Sequence, residues 1–98
     1  AKTWSRAASL LVRKSHMESS TFVYNGKIVC AGGQIDNFAS TDDVEMYDPS
    51  TNSWSTIGHL PVALQGPVVQ RYGNQMIVTT GNKGDLVCQK TTYIGVLS

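Results

Sequence analysis

The stretch Tyr24-Asn25-Gly26-Lys27-Ile28-Val29-Cys30-Ala31-Gly32-Gly33 decides how the rest of this chain is read. Asn-Gly is the strongest short hairpin signal, because both central residues of a type I′ turn need positive φ. Upstream, Ser20 to Tyr24 is rich in β-branched and aromatic residues; downstream, Lys27 to Ala31 returns as a second strand. Gly32-Gly33 ends it, as suits a site where the backbone bends and a neighbouring segment or ring packs closely. A related stretch, Tyr72-Gly73-Asn74-Gln75-Met76-Ile77-Val78-Thr79-Thr80-Gly81, lies 48 residues further on, and Trp4-Ser5 recurs after 50 residues as Trp54-Ser55. A period of about 50 residues is that of one four-stranded propeller blade.

Outward from this hairpin, Val44-Glu45-Met46-Tyr47 reads as a third strand. Asp48-Pro49-Ser50-Thr51-Asn52 has turn chemistry, with proline where φ near −65° is wanted. Ser53 to Ile57 reads as a fourth strand, which completes a blade over 19–57. The second unit, 66–98, offers three strands: Val68 to Tyr72, Gln75 to Thr79 and Thr92 to Leu97. By analogy with Asn52 to Thr56, residues 2–6 (Lys2 to Arg6) read as the fourth strand of a preceding blade. Helical spacing is confined to Ala7 to Val12, which is too short to stand alone.

Together these residues resemble the kelch family: Asn25-Gly26-Lys27-Ile28 leading to Gly32-Gly33, then Val44 to Pro49, then Thr51-Asn52-Ser53-Trp54. The first repeat matches in order and spacing. In the second, Thr80-Gly81 replaces the double glycine, and no Tyr-Asp-Pro segment with a following Trp comes after Val96. The family's arginine near the start of the first strand is replaced by His16 and Leu64. The resemblance implies an all-β fold of four-stranded antiparallel propeller blades. It also implies that Gly32, Gly33, Tyr47, Trp54 and Trp4 are structural, with the aromatic rings packed between strands and blades.

One complete and one incomplete blade cannot close a ring, since propellers have about four to eight blades. Three arrangements are compatible with the sequence. The chain is part of a longer kelch protein; or copies close a ring, three chains giving six blades with each missing strand supplied by the next chain's Lys2 to Arg6; or the N-terminal strand folds back onto its own second blade.

Composition narrows the function. With 41% hydrophobic and 15% charged residues the chain can bury a core, which argues against disorder. A net charge of +1 gives no reason to expect nucleic acid or an anionic membrane as partner. No apolar run approaches the roughly 20 residues of a membrane-spanning helix. Cys30 and Cys88 are too few for a disulfide scaffold and read as small buried hydrophobes. The sequence names no compartment and leans cytoplasmic.

Antiparallel alternation puts tight turns, Asn25-Gly26 and Pro49 to Asn52, at one end of a blade. The longer connections lie at the other end: Ala7 to His16, Gln34 to Thr41, Gly58 to Gln65 and Asn82 to Lys90. Long loops on a rigid scaffold are where binding residues concentrate. The candidates there are Arg13, Lys14, His16, Asp36, Asn37, Phe38, Lys83 and Asp85. Phe38, an aromatic in a polar loop, reads either as an anchor for a partner or as a side chain tucked back against its blade. No cofactor, metal or catalytic residue is expected. His16 and His59 lack metal-ligand spacing. Asp42 and Asp43, as neighbours on a strand, point to opposite faces. Ser and Thr have no nucleophile motif. The resemblance implies a protein-interaction or self-assembly module, as in substrate-receptor propellers of ubiquitin ligases. The alternative it carries is a piece of a carbohydrate-active kelch enzyme of the sugar oxidase or sialic acid mutarotase type.

Overall fold

A computed structural model describes residues 3–83 and 90–97. Two antiparallel meanders make up the fold. Strands β1 (Thr21–Tyr24), β2 (Lys27–Ala31), β3 (Thr41–Asp48) and β4 (Ser53–Leu64) form a four-stranded sheet in sequence order. Strands β5 (Val68–Tyr72), β6 (Gln75–Thr79) and β7 (Thr92–Val96) form a three-stranded sheet, also in sequence order. Both have the in-order antiparallel pairing expected of propeller blades, four strands in the first and three in the second.

Local chemistry sets each turn. Asn25 and Gly26 adopt φ of 51° and 73°, which closes β1 onto β2 with Tyr24 opposite Lys27. The β5–β6 hairpin turns on Gly73 (φ 60°), the first central position that a type II′ turn reserves for glycine. Asp48 closes the β3–β4 turn by accepting hydrogen bonds from the Ser50 Oγ (2.7 Å) and the Ser50 N–H (2.9 Å). The Ser50 hydroxyl, then the Ser50 amide, hold the Asp48 carboxyl below its ordinary range.

Paired residues in the register share a face. Phe22, Tyr24, Val29, Ala31, Val44 and Met46 therefore line one side of the first sheet. That side packs onto Val69, Met76, Val78 and Tyr93 of the second sheet, with Leu60 and Leu64 joining from the end of β4. Each fully buried Val or Leu contributes about 1.5–3 kcal/mol of transfer free energy. The Arg71 guanidinium sits 5.6 Å above the Tyr24 ring, a second tie between the blades.

Gly32 and Gly33 show why this turn is glycine. Their φ values are 69° and 119°, and the end of β4 packs against Gly32 while the segment before β1 packs against Gly33. A Cβ at Gly32 would lie 2.7 Å from the Leu64 carbonyl oxygen, and one at Gly33 2.8 Å from that of Ser15. Either would displace backbone.

Several sequence-based expectations change. Residues 3–6 form no strand, either on the second sheet or elsewhere among the described residues, and Trp4 is 91% exposed rather than structural. Ala7 to Val12 is not helical. Gly58 to Leu64, expected as loop, continues β4, because Thr41 pairs with Leu64 across an irregular register. Tyr47 and Trp54 are half-buried, with ring centroids 5.3 Å apart. The Trp54 indole Nε1–H donates to the Ala8 carbonyl (3.1 Å), so these rings dock the N-terminal segment against their own blade. Cys30 is buried, while Cys88 lies outside the described residues.

Candidate functional site

Residues 15–16, 34, 65–66 and 82, taken from the expected connections, are laced together by backbone hydrogen bonds. Ser15 and Gln34 exchange both N–H···O bonds, at 2.9 and 2.7 Å. One period later Gln65 and Asn82 do the same, at 2.9 and 3.1 Å. The Gly66 N–H donates to the His16 carbonyl (2.8 Å), joining the entry segments of the two blades. His16 takes φ of 58° there and Gly66 takes 67°; the two bridges make these positions equivalent, two residues on from the sequence alignment of His16 with Leu64.

Phe38 stands at the tip of this face, 78% exposed. Its loop is a tight turn over Asp36–Phe38, with Asn37 and Phe38 both left-handed (φ 61° and 60°) and the Ile35 N–H donating to the Ala39 carbonyl (2.8 Å). Left-handed backbone at an aromatic residue is costly, about 1–2 kcal/mol, and persists only where neighbours hold it. Gln65 supplies that hold. Its buried side-chain amide donates to the Phe38 carbonyl and to the Ser40 Oγ, each at 3.2 Å. Gln65 is not among the residues that the sequence singles out. The available signal was its place one period after Ser15.

The other candidates divide. Arg13 and Asp36 are both exposed and 3.8 Å apart, flanking a shallow cavity of about 220 Å³ whose walls include Ser15, Gln34 and Ile35. His16, Asn37 and Lys83 are exposed on the same side. Asp85 lies outside the described residues. Lys14 is the correction. Its side chain is 0% exposed and its Nζ lies 2.5 Å from Glu45 Oε1, itself on a side chain only 1% exposed. No other described group hydrogen-bonds either atom. Lys14 therefore cannot meet a partner. Glu45 on β3 draws the ammonium inward, because a buried carboxylate without a counter-charge is expensive.

A second grouping overturns the expectation for Asp42 and Asp43. The β3–β4 register is interrupted on both sides of Asp43, between Thr41 and Asp43 and again between Val44 and Glu45. Such bulges break the strict alternation of strand side chains. Both carboxylates consequently reach His59 on β4, with Asp42 Oδ1 3.2 Å and Asp43 Oδ1 3.5 Å from its Nδ1.

The Kelch motif family matches residues 18–61. Kelch repeat protein M-T8 of Myxoma virus is 30% identical over 79 residues, covering 81% of this chain and 15% of that protein. Kelch-like protein 21 of Homo sapiens is 38% identical over 58 residues, 59% of this chain and 9% of the relative. F-box protein AFR of Arabidopsis thaliana is 32% identical over 79 residues, 80% and 21% respectively. Among solved structures, that titled "Structure of YjhT" aligns with a TM-score of 0.72 and 26% identity, over 85% of this chain and 26% of that one. The fold is a run of propeller blades. The chain belongs to the kelch-repeat family, and it spans about a fifth or less of the length of these curated relatives.

Proposed function

We propose that this chain is a non-catalytic kelch module that binds a protein partner through the face built from residues 13, 15–16, 34–40, 65–66 and 82–83. The observation that carries this reading is Phe38: an aromatic side chain left exposed, on a backbone held in a costly conformation by a buried glutamine from the next connection. Exposed rigid aromatics flanked by an exposed arginine, here Arg13, are the side chains that dominate interface energetics. Kelch-like and F-box relatives agree with an interaction role. The test compares capture by the unmodified chain with capture by Phe38→Ala, Arg13→Glu and, at the opposite end, Lys27→Glu. A partner lost with the first two and kept with Lys27→Glu supports the reading. A partner lost only with Lys27→Glu refutes it. A carbohydrate-active alternative needs reacting groups drawn from several blades, and sugar turnover by the chain would favour it.

A second surface supports a further blade as neighbour. By the repeat, the outer side of the second sheet corresponds to the side of the first that is buried, and it carries exposed Val68, Tyr72, Ile94 and Val96. We propose that this side packs on another blade, supplied by a longer polypeptide or by a second copy. Sedimentation mass of the chain in solution separates the two: a trimer would make a six-bladed ring, and a monomer removes the self-assembly reading.

A further inference from the structure

We propose that Asp42, Asp43 and His59 form a binding site for a first-row divalent cation of the zinc type. The argument starts from chemistry rather than from acidity alone. One imidazole nitrogen and two carboxylate oxygens make a mixed N/O donor set, and such sets suit zinc better than the all-oxygen preference of calcium or magnesium. Two adjacent strands supply the donors: Asp42 and Asp43 open β3, and His59 faces Asp43 directly in the β4 register. Ligand atoms from all three lie within 4.8 Å of one another, a spread that side-chain rotation can close around an ion.

Charge points the same way. Among the described residues, both carboxylates pair with His59 and neither pairs with a lysine or arginine. Even a protonated imidazole leaves one negative charge over, and a divalent cation supplies the missing positive charge while releasing the imidazole proton. All three side chains keep solvent access, so an ion has an entry path and room for water as a fourth ligand. The site does not overlap Phe38 or the Arg13–Asp36 pair, and the proposal is independent of the partner-binding reading. Filling it would pin the irregular stretch of β4 to the start of β3, which is the strand that leaves the Phe38 loop.

The experiment is isothermal titration of zinc chloride into the full chain, repeated with His59→Ala, Asp42→Asn and Glu18→Gln. Saturable binding of one zinc per chain is expected. Removing a ligand should weaken it by at least about tenfold, since loss of groups merely supporting a ligand already costs that much. Glu18→Gln, an exposed carboxylate elsewhere, should leave it unchanged. Asp42→Asn is nearly isosteric, and a far-ultraviolet circular dichroism spectrum matching the unmodified chain keeps its result interpretable. Cobalt(II) in place of zinc should give visible d–d absorption that His59→Ala abolishes. Absence of saturable zinc binding, zinc binding that survives His59→Ala, or preferential calcium binding would each overturn the proposal.

Discussion

The two blades run through the same meander and solve the same turn differently. The first bends at Gly32-Gly33 beneath the Leu64 carbonyl, while the second bends at Thr80-Gly81 with φ of 62° and 82°, so that a β-branched residue holds left-handed backbone. Thr80 is exposed where Gly32 is buried. Gly32 is thus demanded twice over, by conformation and by the Leu64 carbonyl above it, whereas position 80 tolerates threonine; at the next position both blades keep a crowded glycine, since a Cβ on Gly81 would lie 3.1 Å from Gln65 and Pro67. A similar contrast appears on the third strands. Glu45 in the first blade corresponds by repeat and register to Tyr93 in the second. Tyr93 packs into the apolar core between the sheets, whereas Glu45 faces away from it and needs Lys14 as a buried counter-charge. A blade position is therefore defined by what passes over it, and the family pattern loosens where that covering segment changes.

Substitutions can break or sharpen this contrast. The largest effect is expected at the buried pair. Lys14→Met leaves Glu45 uncompensated and should cost about 3–5 kcal/mol, read as a lowered urea midpoint, while the double change Lys14→Met/Glu45→Leu should recover most of it. Next comes Gly32→Ala, where a left-handed penalty of about 1–2 kcal/mol adds to the contact with Leu64. The reverse change in the other blade, Thr80→Gly, should raise stability by about 0.5–1 kcal/mol, the relief of left-handed strain less the entropy glycine adds to the unfolded chain. If Thr80→Gly destabilised the chain, the account of the second turn would fail. The smallest effect concerns pH. Asp48, with its carboxyl held low mainly by Ser50, stabilises the β3–β4 turn above the ordinary Asp range and loses that contribution as pH falls through its lowered value. An Asp48→Asn chain should show a flatter acid limb in thermal unfolding, and an unchanged limb would contradict the role of Ser50.

Much of the fold was legible in the sequence because it rests on local signals. Asn25-Gly26, Asp48-Pro49 and the 48-residue recurrence of Tyr-x-x-x-Met/Ile each act within a few residues. What was not legible depends on register. Whether Asp42 and Asp43 diverge or converge is set by bulges in β3–β4, and alternation alone predicts the wrong outcome. Lys14 looks like any loop lysine until Glu45 is known to lie beneath it. Trp4 shared its motif with Trp54 but not its surroundings, since the Trp54 indole finds Ala8 and Tyr47 while Trp4 is exposed. Of the proposed face, the exposed residues were foreseeable from loop length. The brace that orients Phe38, the Gln65 amide, was not, because it bonds a loop 27 residues away in sequence.

The central claim is that the partner surface lies on the laced loops rather than on the tight hairpins. Amide hydrogen exchange of the chain, with and without its captured partner, tests it most directly. The account predicts added protection over residues 13–16, 34–40 and 65–66, with 25–26, 49–52 and 73–74 unchanged. Protection confined to those three hairpin turns would contradict it.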